Sequence, residues 1–465
     1  MKMKFYLALF AAAVAGLCCC SPSQLRAADA DRHVVLVSLD GLAAYLVDDP
    51  KVPLPTIRKL AKDGAIVDGG MTVSNPSVTW PNHTTLVTGV RPEKHGVLAN
   101  GVLVRGAAGM PTSIDSNRDQ SDLVRIATIV DAAHVAGLST AEINWPCTRG
   151  SQSLDDSFPD VPQSVEHMTP RLRKELIELG LLDDETDASF RKISSVGRDH
   201  IWTEAACHLI RARKPNLLLV HLLNVDGTHH KHGPQTAEGY TANAYADSCL
   251  SRIVSAIDDA GIRDKTTLIV VSDHGFARTP KAIRPNVLLR QAGLLKVDAG
   301  KLSTADVHVV PEGGIGLVYC TQPGEAAHAA AEFKEMFVGK EGVADVLLPN
   351  QYADVGLQHP REYNQSPDAV LVAKDGYAVS ASVDGDTLVA SNTEAKTSIG
   401  SHGFISSQEN MKALCVLSGA NIRPGSHLAP IENIDIAPTI AKLLGVEYPH
   451  VDGKPLESVM TDDTL

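Results

Sequence analysis

Three apolar segments of the chain lead into side chains of the kinds that commonly bind metal ions, and the motif Gly400-Ser401-His402-Gly403 adds one more. In chain order these side chains are Asp40, Asp226, His230, Asp273, His274 and His402. Because ligands gather at the carboxyl ends of the strands in an open α/β sheet, such positions can converge. Carboxylate and imidazole together suit zinc or a similar divalent ion better than magnesium, which prefers oxygen alone. The pattern predicts a metal site at one edge of a sheet.

Each of these motifs also has an ordinary structural explanation. An Asp-Gly pair after a strand, such as Asp40-Gly41, is most often a turn. Two polar residues spaced like Asp226 and His230 more often lie on the surface of a helix. Their occurrence together, each at the end of a predicted strand, is what favours metal binding.

Thr79 is the predicted nucleophile. It lies just before Pro81, a residue that suits the first turn of a helix, so Thr79 is expected at or near the N-cap. An isolated threonine there would only accept backbone N–H bonds. A helix N-terminus, however, also favours phosphate oxygens, and a metal ion on the hydroxyl would lower its pKa and activate it.

The alternation of apolar runs with helix-like segments indicates an α/β fold. Strands are predicted at 33–39, 216–223, 267–272 and 412–417, and helices at 53–62, 237–260 and 436–444. This alternation implies a mostly parallel sheet with helices on both faces.

The chain is predicted to divide into four parts. They are a signal peptide at 1–30, a first part of the core at 31–284, an inserted smaller α+β subdomain at 285–397, and a second part of the core at 398–465. The insertion is inferred because the strand–helix rhythm breaks there and His402 follows only after it. Within the first part, the acidic segment 155–193 is predicted to be helix-rich and peripheral.

The N-terminus has the layout of a secretory signal. Lys2 and Lys4 precede the apolar run 5–17, and small residues follow up to Ala30. The run is too short for a comfortable membrane span. We therefore expect an exported protein, periplasmic or extracellular, with no integral span after cleavage. An uncleaved anchor, or a lipid anchor in the cysteine run 18–20, stays open as an alternative.

Charge and cysteine usage limit other classes. The formal net charge of −13 argues against binding to duplex nucleic acid, which requires a basic surface. Five cysteines follow the signal segment, at Cys147, Cys207, Cys249, Cys320 and Cys415. They are widely spaced, so a disulfide or two and buried free thiols are both open. Oligomeric state is not predicted.

The motifs in combination resemble a known family. They are Leu39-Asp40-Gly41, Thr79-Trp80-Pro81-Asn82-His83, Asp226 with His230, Asp273-His274-Gly275 and Gly400-Ser401-His402-Gly403. The set looks like the nucleotide pyrophosphatase/phosphodiesterase (type I phosphodiesterase) family of the alkaline phosphatase superfamily. The resemblance is strongest over 33–104, 216–277 and 398–446. It implies an alkaline-phosphatase-like α/β core and two divalent ions, normally Zn²⁺.

The resemblance also implies residue roles. One ion would be held by Asp40, Thr79, Asp273 and His274, and the other by Asp226, His230 and His402. Asn100 falls where the family places an amide donor to a phosphate oxygen, and Trp80 falls where a family aromatic stacks on a nucleobase. From the residues alone, Asn100 is a turn residue before a glycine and Trp80 is equally well a core tryptophan.

The expected function is that of a metal-dependent phosphodiesterase acting through a phosphothreonine at Thr79. The substrate class is a small-molecule phosphate ester, with nucleotides among the candidates. A phosphomonoesterase on the same two-metal site is the alternative, although the segment 144–149 offers only Arg149 to hold extra phosphate charge. Threonine rather than cysteine or serine at position 79 disfavours a sulfatase. A non-catalytic metal-binding surface protein is the alternative from another class.

Overall fold

The computed structural model describes residues 29–160, 164–183, 186–395 and 398–461. Residues 1–28 of the predicted signal peptide (1–30) lie outside the described residues. Among the residues that are described, no helix is both long and apolar enough to cross a membrane.

A central sheet of eight strands carries the core. In chain order its strands are β1 (His33–Leu39), β2 (Ala65–Val67), β3 (Thr140–Ile143), β4 (Asp156–Phe158), β5 (Leu217–Leu222), β6 (Thr266–Val271), β7 (Cys415–Gly419) and β8 (Ser426–Leu428). Across the sheet the order is β8-β2-β7-β6-β1-β5-β3-β4. Only β7 runs antiparallel to its neighbours, β6 and β2. The prediction of a mostly parallel sheet is confirmed.

Side chains of β1 alternate between the two faces of the sheet, as the period of a strand requires. Val35 and Val37 pack into one hydrophobic core, and Val34 and Leu36 pack into the other. A strand buried on both faces reads as a continuous apolar run, which is why the segment 33–39 is recognisable from sequence.

Helices cover both faces of the sheet. In chain order, the helices of the described chain are α1 (Tyr45–Asp48), α2 (Pro55–Asp63), α3 (Thr79–Thr88), α4 (Pro92–His95), α5 (Gln120–Leu123), α6 (Ile129–Val135), α7 (Pro170–Glu178), α8 (Asp187–Phe190), α9 (Ser195–Ala212), α10 (Asn224–His232), α11 (Ala237–Asp259), α12 (Pro285–Gln291), α13 (Ala326–Phe337), α14 (Asn392–Ala395) and α15 (Ile436–Leu444). Of these, α12 and α13 pack in the separate core of the predicted insertion. Apolar residues of α2, α9 and α11 join the core that holds Val35. Apolar residues of α3, α6 and α15 join the core that holds Val34.

A second, antiparallel sheet lies within the predicted insertion. Its four strands are Val307–Glu312, Ile315–Cys320, Ala369–Ala373 and Val343–Leu347, in that spatial order. Shorter pairings complete the strands, at Val102–Val104, Ser113–Asp115, Ala277–Arg278, Lys281–Ile283, Leu295–Asp298, Lys301–Ala305, Tyr377–Val379, Val389–Ser391 and Gly400–Ser401. The exact boundaries of the insertion stay a prediction.

Two expectations are resolved by the fold. All five cysteines of the described chain are free and buried, so the buried-thiol alternative holds in this structure. The segment 155–193 is not peripheral, because it supplies the edge strand β4 and packs Phe158 and Phe190 fully buried in the main core. The prediction was wrong because the acidic residues of the segment mask its buried apolar side chains, which include Phe158, Met168, Leu172, Leu176 and Phe190.

We predict that Phe190→Ala lowers the free energy of unfolding by about 3–5 kcal/mol, because it leaves a cavity beside Phe158 and Trp202. Urea denaturation followed by circular dichroism measures the change. Leu179→Ala is the matched control in the same segment, since Leu179 is 53% exposed, and it should shift stability by less than about 0.5 kcal/mol. If Phe190→Ala lowers the free energy of unfolding by less than about 1 kcal/mol, the segment is peripheral after all.

Candidate active site

Three neighbouring strands of the central sheet deliver the acidic residues of the site. Asp40 follows β1 directly, and Asp273 follows the adjacent strand β6 after one intervening serine. Asp226 lies in the first turn of α10, just after β5, which pairs with β1 on its other side. The three carboxylates converge because parallel strands present their carboxyl ends at one edge.

The first cluster contains Asp40, Asp273 and His274, all fully buried. One ligand atom from each lies within 4.8 Å of the others. The Nε2 atom of His274 is 3.4 Å from Asp40 Oδ1 and 3.2 Å from Asp273 Oδ2. These are the residues, apart from Thr79, that the sequence assigned to one ion.

The second cluster contains Asp226, His230 and His402, again with ligand atoms within 4.8 Å of one another. The Nε2 atoms of His230 and His402 are 3.3 Å and 3.6 Å from Asp226 Oδ1. One helical turn separates Asp226 from His230, so both side chains leave the same face of α10. The rings of His402 and His274 stack at 3.7 Å, and the two clusters are therefore adjacent.

The chain returns to this site after the insertion through a short antiparallel pairing. The strand Gly400–Ser401, which precedes His402, pairs with Ala277–Arg278, which follows His274. This pairing brings together two ligands separated by more than a hundred residues of sequence. It explains why the motif can resume at His402 after a long interruption.

Backbone carbonyls orient the three histidines of the clusters. The Nδ1 atoms of His230, His274 and His402 each lie 3.0 Å from a carbonyl oxygen, of Gly400, Gly275 and Ser77 respectively. A carbonyl only accepts hydrogen bonds, so Nδ1 must carry the proton. Each Nε2 atom then turns a lone pair toward its cluster, which is the arrangement of metal-binding histidines.

Several buried polar atoms of the clusters have no hydrogen-bond partner among the described residues. They are Asp40 Oδ1, Asp226 Oδ1, Asp273 Oδ2 and His274 Nε2. Buried polar atoms are almost always paired, so an orphaned set demands an explanation. These atoms are acceptors that face one another, and a divalent cation is the partner that satisfies them all. The residues therefore fit a pair of metal ions, and the nitrogen–oxygen donor set suits zinc.

The pKa shifts of the cluster residues also favour metal binding. Burial, together with the charges of Asp273 and Asp226, raises the pKa of Asp40 well above its usual value. Burial raises the pKa of Asp273 to about 7 and lowers the pKa of His274 to about 4. His274 is thus neutral at pH 7, as a metal ligand must be. The carboxylates repel one another unless positive charge is supplied between them.

Thr79 is the first residue of α3 and is half-buried. The N-cap is Val78, and Pro81 is the third helical residue, so the helix begins slightly earlier than expected. The carbonyl of Thr79 lies 2.9 Å from Nδ1 of His83, and that nitrogen is 3.5 Å from Asp273 Oδ2. The carbonyl of Ser77, two residues earlier, holds His402. The segment carrying Thr79 therefore contacts both clusters.

Asn100 and Trp80 meet at the start of α3. The side-chain oxygen of Asn100 accepts a hydrogen bond from the backbone N–H of Trp80 at 2.9 Å. This bond turns the amide nitrogen of Asn100 away from the helix, and Asn100 lines the same cleft as His402. The indole of Trp80 is packed against Val97, is only 6% exposed, and donates to Asp160 at 3.0 Å. The role of nucleobase stacking stays a prediction.

His221 is a residue of the site that the sequence reasoning missed. Its Nε2 atom lies 2.9 Å from Asp40 Oδ2, and its Nδ1 atom lies 2.9 Å from the carbonyl of Asn144. By occupying Oδ2, His221 leaves Asp40 Oδ1 as the oxygen that faces the first cluster. A signal was present, because His221 is the one polar residue in β5.

The sequence model of the type I phosphodiesterase / nucleotide pyrophosphatase family matches residues 34–405. The chain belongs to this family. All the residues of the two clusters lie within the matched stretch. Membership in the type I phosphodiesterase family confirms the resemblance drawn from the motifs.

Relatives of the type I phosphodiesterase family are distant and longer than this chain. Human ectonucleotide pyrophosphatase/phosphodiesterase family member 1 is 23% identical over 422 residues, which cover 89% of this chain and 40% of the relative. Venom phosphodiesterase 2 of Crotalus adamanteus is 24% identical over 249 residues, covering 52% and 26%. The chain thus spans a quarter to two fifths of the length of the curated relatives it matches.

Solved structures of the family share the fold. Murine ectonucleotide pyrophosphatase/phosphodiesterase 5 aligns with a TM-score of 0.66 at 18% identity, covering 92% of this chain and all of that one. The human protein of the same name aligns with a TM-score of 0.66 at 17% identity. An inactive variant of the murine protein was solved in complex with AMP and aligns equally well. At this identity the likeness shows the alkaline-phosphatase-like fold.

We predict that chelation of the purified protein lowers its Tm by about 5–10 °C and that zinc restores it. Each ion present at about 100 times its Kd supplies about 2.7 kcal/mol, or about 5.4 kcal/mol for two, and each kcal/mol moves Tm by about 1–2 °C in a chain larger than 250 residues. Differential scanning calorimetry with metal analysis measures the shift. Asp40→Asn should respond less to zinc, yet be at least as stable as the wild type without metal, because it removes one repelling charge. An unchanged Tm after full metal removal would contradict the repulsion argument.

We predict that His221→Ala weakens zinc binding by about 10–100-fold, because Asp40 loses the hydrogen bond that orients it. Competition with a chromophoric chelator measures the affinity. His427→Ala is the control, since His427 is exposed and bonded to exposed Asp68. If His221→Ala binds zinc as tightly as the wild type, His221 does not position Asp40 for metal binding.

Proposed function

We propose that this chain is an exported, metal-dependent phosphodiesterase/nucleotide pyrophosphatase that forms a phosphothreonine intermediate on Thr79. The observation that carries the proposal is the placement of two adjacent acid–histidine clusters beside the N-terminus of α3, where Thr79 is the first residue. Family membership supports the reaction class. Relatives named as ectoenzymes and as venom enzymes, together with the signal-like N-terminus, support export.

Each cluster would hold one divalent ion, with zinc favoured by the donor set. Asp40, Asp273, His274 and the hydroxyl of Thr79 would hold one ion, and Asp226, His230 and His402 the other. When bound, such ions lower the pKa of a hydroxyl and offset the charge of a transferring phosphoryl group. The orphaned oxygens of the three aspartates support this assignment.

The chain's own residues supply attack and orientation. Oγ1 of Thr79 loses its proton and forms a bond to phosphorus as the bond to the leaving-group oxygen breaks, and the leaving alcohol takes up a proton. The phosphoryl group on Thr79 keeps the second ester group of the diester. Water then attacks phosphorus, the bond to Oγ1 breaks, and a phosphate monoester is released. The dipole of α3 favours a phosphate oxygen at this end of the helix. The Trp80 N–H is already bonded to Asn100, and Pro81 has no N–H to offer. Asn100 is proposed to donate from its amide nitrogen to a phosphate oxygen, in the orientation imposed by the Trp80 N–H.

Diesters are favoured over monoesters by the charges around the site. The second cluster opens, through His230 and His402, into a cleft of about 560 Å³, and no lysine or arginine is among the described residues that line it. Arg149, the basic residue considered from sequence, is buried and bonded to Asp119 at 2.7 Å. A monoester carries an extra negative charge that the described lining of the cleft does not compensate. The small-molecule substrate is proposed to be a phosphodiester, with nucleotides included.

A substrate comparison tests the proposal. Bis-p-nitrophenyl phosphate, thymidine 5′-p-nitrophenyl phosphate and p-nitrophenyl phosphate are compared with zinc and after chelation. Chelator-sensitive hydrolysis of the diesters with a slow monoester is expected. A dominant monoester rate would assign the chain to the phosphatases. Stoichiometric zinc without turnover on any of the three would favour a metal-binding surface protein.

We predict that Thr79→Ala lowers kcat/KM for the diester by about 10³-fold or more, because it removes the nucleophile while both clusters stay intact. Acid-quenched wild-type enzyme turning over the thymidine ester should carry a thymidine 5′-phosphoryl group on Thr79, detected by peptide mass spectrometry, and the variant should carry none. Thr241→Ala, on the exposed face of α11, is the matched control. Turnover in Thr79→Ala within about tenfold of the wild type would exclude the covalent mechanism.

A further inference from the structure

The cleft beside the second cluster is lined by residues of the core and of the predicted insertion. Asn100, His230 and His402 come from the core. Glu312 and a segment around Ser380 come from the predicted insertion. The insertion therefore contributes side chains that a substrate bound at the clusters would touch.

Glu312 is the unusual residue of this cleft. It is 8% exposed, and within the described parts of the chain its carboxyl group has no hydrogen bond and no ion pair. Its oxygens have no hydrogen-bond partner among the described residues, but they are not completely buried, and Glu312 lines the cleft. A carboxyl group this deeply placed loses most of its hydration without gaining a protein partner, a cost that a bound ligand can offset.

Glu312 is also held rigidly against the metal-ligand loop. It ends the strand Val307–Glu312 and pairs with Ile315 across a two-residue Gly313-Gly314 turn, a sequence typical of tight hairpins. The N–H of Gly314 donates to the carbonyl of His402 at 2.8 Å. Gly403 has a φ of +77°, and a Cβ there would lie 1.7 Å from the Glu312 carbonyl oxygen. The two loops are in direct backbone contact, which fixes Glu312 relative to His402.

The rest of the lining indicates the chemistry of the ligand. Serines line the cleft beside Glu312, at Ser380, Ser382, Ser398 and Ser401. The described lining holds no phenylalanine, tyrosine, tryptophan, lysine or arginine. The wall is unsuited to stacking a base, to caging a quaternary ammonium group, which needs aromatic faces, or to binding a second phosphate. Serine hydroxyls both donate and accept hydrogen bonds, so they match a group that does the same.

We propose that Glu312 and the neighbouring serines form a subsite for a hydroxyl-bearing group of the substrate, such as the glycerol or sugar esterified to the phosphate. The inference rests on the proposed function, since it places this group beside a phosphodiester at the clusters. A substrate hydroxyl donates to Glu312, and other hydroxyls of the same group exchange hydrogen bonds with the serines. The carboxyl group keeps an acceptor oxygen in either protonation state. Glu312 is thereby a specificity-determining residue, because a site built to bind a hydroxyl discriminates against the analogue that lacks it.

The test compares two matched esters, glycerol p-nitrophenyl phosphate and propyl p-nitrophenyl phosphate, which differ only in their hydroxyls. The wild type should prefer the glycerol ester by about tenfold or more in kcat/KM. Glu312→Ala should lose that preference, to about twofold or less, while the rate on the propyl ester stays within about twofold. Glu312→Gln, which keeps an acceptor oxygen, should retain part of it. Glu335→Ala, an exposed glutamate of the same region, is the control and should change nothing.

Other outcomes would overturn the subsite. Equal loss on both esters in Glu312→Ala would make Glu312 a support for the His402 loop. A wild-type preference for a 3-aminopropyl ester over the glycerol ester would identify a cation subsite instead. Calorimetric binding of glycerol 3-phosphate against propyl phosphate to the zinc-loaded protein repeats the comparison without turnover. Suppose that the wild type binds glycerol 3-phosphate more tightly, that Glu312→Ala loses this difference in affinity, and that no ester is hydrolysed. That result would support the subsite and contradict the proposed enzyme activity. Equal affinity of the wild type for both ligands would contradict the subsite.

Discussion

Mutual repulsion among buried carboxylates is the constraint on which the site depends. Asp40 and Asp273 are fully buried, and the negative charge of Asp226 contributes to the raised pKa of Asp40. Each of the three carboxylates keeps one oxygen without a hydrogen bond in the described structure. Among the described residues these oxygens face the Nε2 atoms of the three cluster histidines, whose Nδ1 protons are directed to backbone carbonyls. Bound cations relieve the repulsion. The two clusters are thus suited to bind positive charge.

Neighbouring side-chain and backbone groups orient the carboxylates of Asp40 and Asp273 and the three histidines of the clusters. His221 holds Asp40, the N–H of Gly41 holds Asp273 at 3.1 Å, and backbone carbonyls hold the three histidines of the clusters. The Ser77 carbonyl accepts both from His402 Nδ1 and from the Gly403 N–H, each at 3.0 Å. One backbone oxygen therefore couples the segment of Thr79 to the second cluster. The Gly313-Gly314 hairpin extends this coupling into the insertion.

Strongly patterned elements were predictable from sequence alone. β1 and α15 have the predicted bounds, because a strand buried on both faces and an amphipathic helix ended by Gly445 carry local signals. The strands Ala65–Val67, Thr140–Ile143 and Asp156–Phe158 were not predicted. Three or four residues carry no readable periodicity, and these strands form because the neighbouring strands supply their hydrogen-bond partners.

By itself, the sequence determined the family, the fold class and the cluster residues, because each cluster residue sits in a motif of a few adjacent residues at the end of a recognisable element. Only the tertiary structure decided which of their atoms are left without partners. It likewise placed His221 behind Asp40 and Glu312 beside His402, and it packed Trp80 into an apolar cluster. These placements depend on contacts between segments far apart in the chain. Such contacts follow from packing and pairing of whole elements, and no local pattern records them.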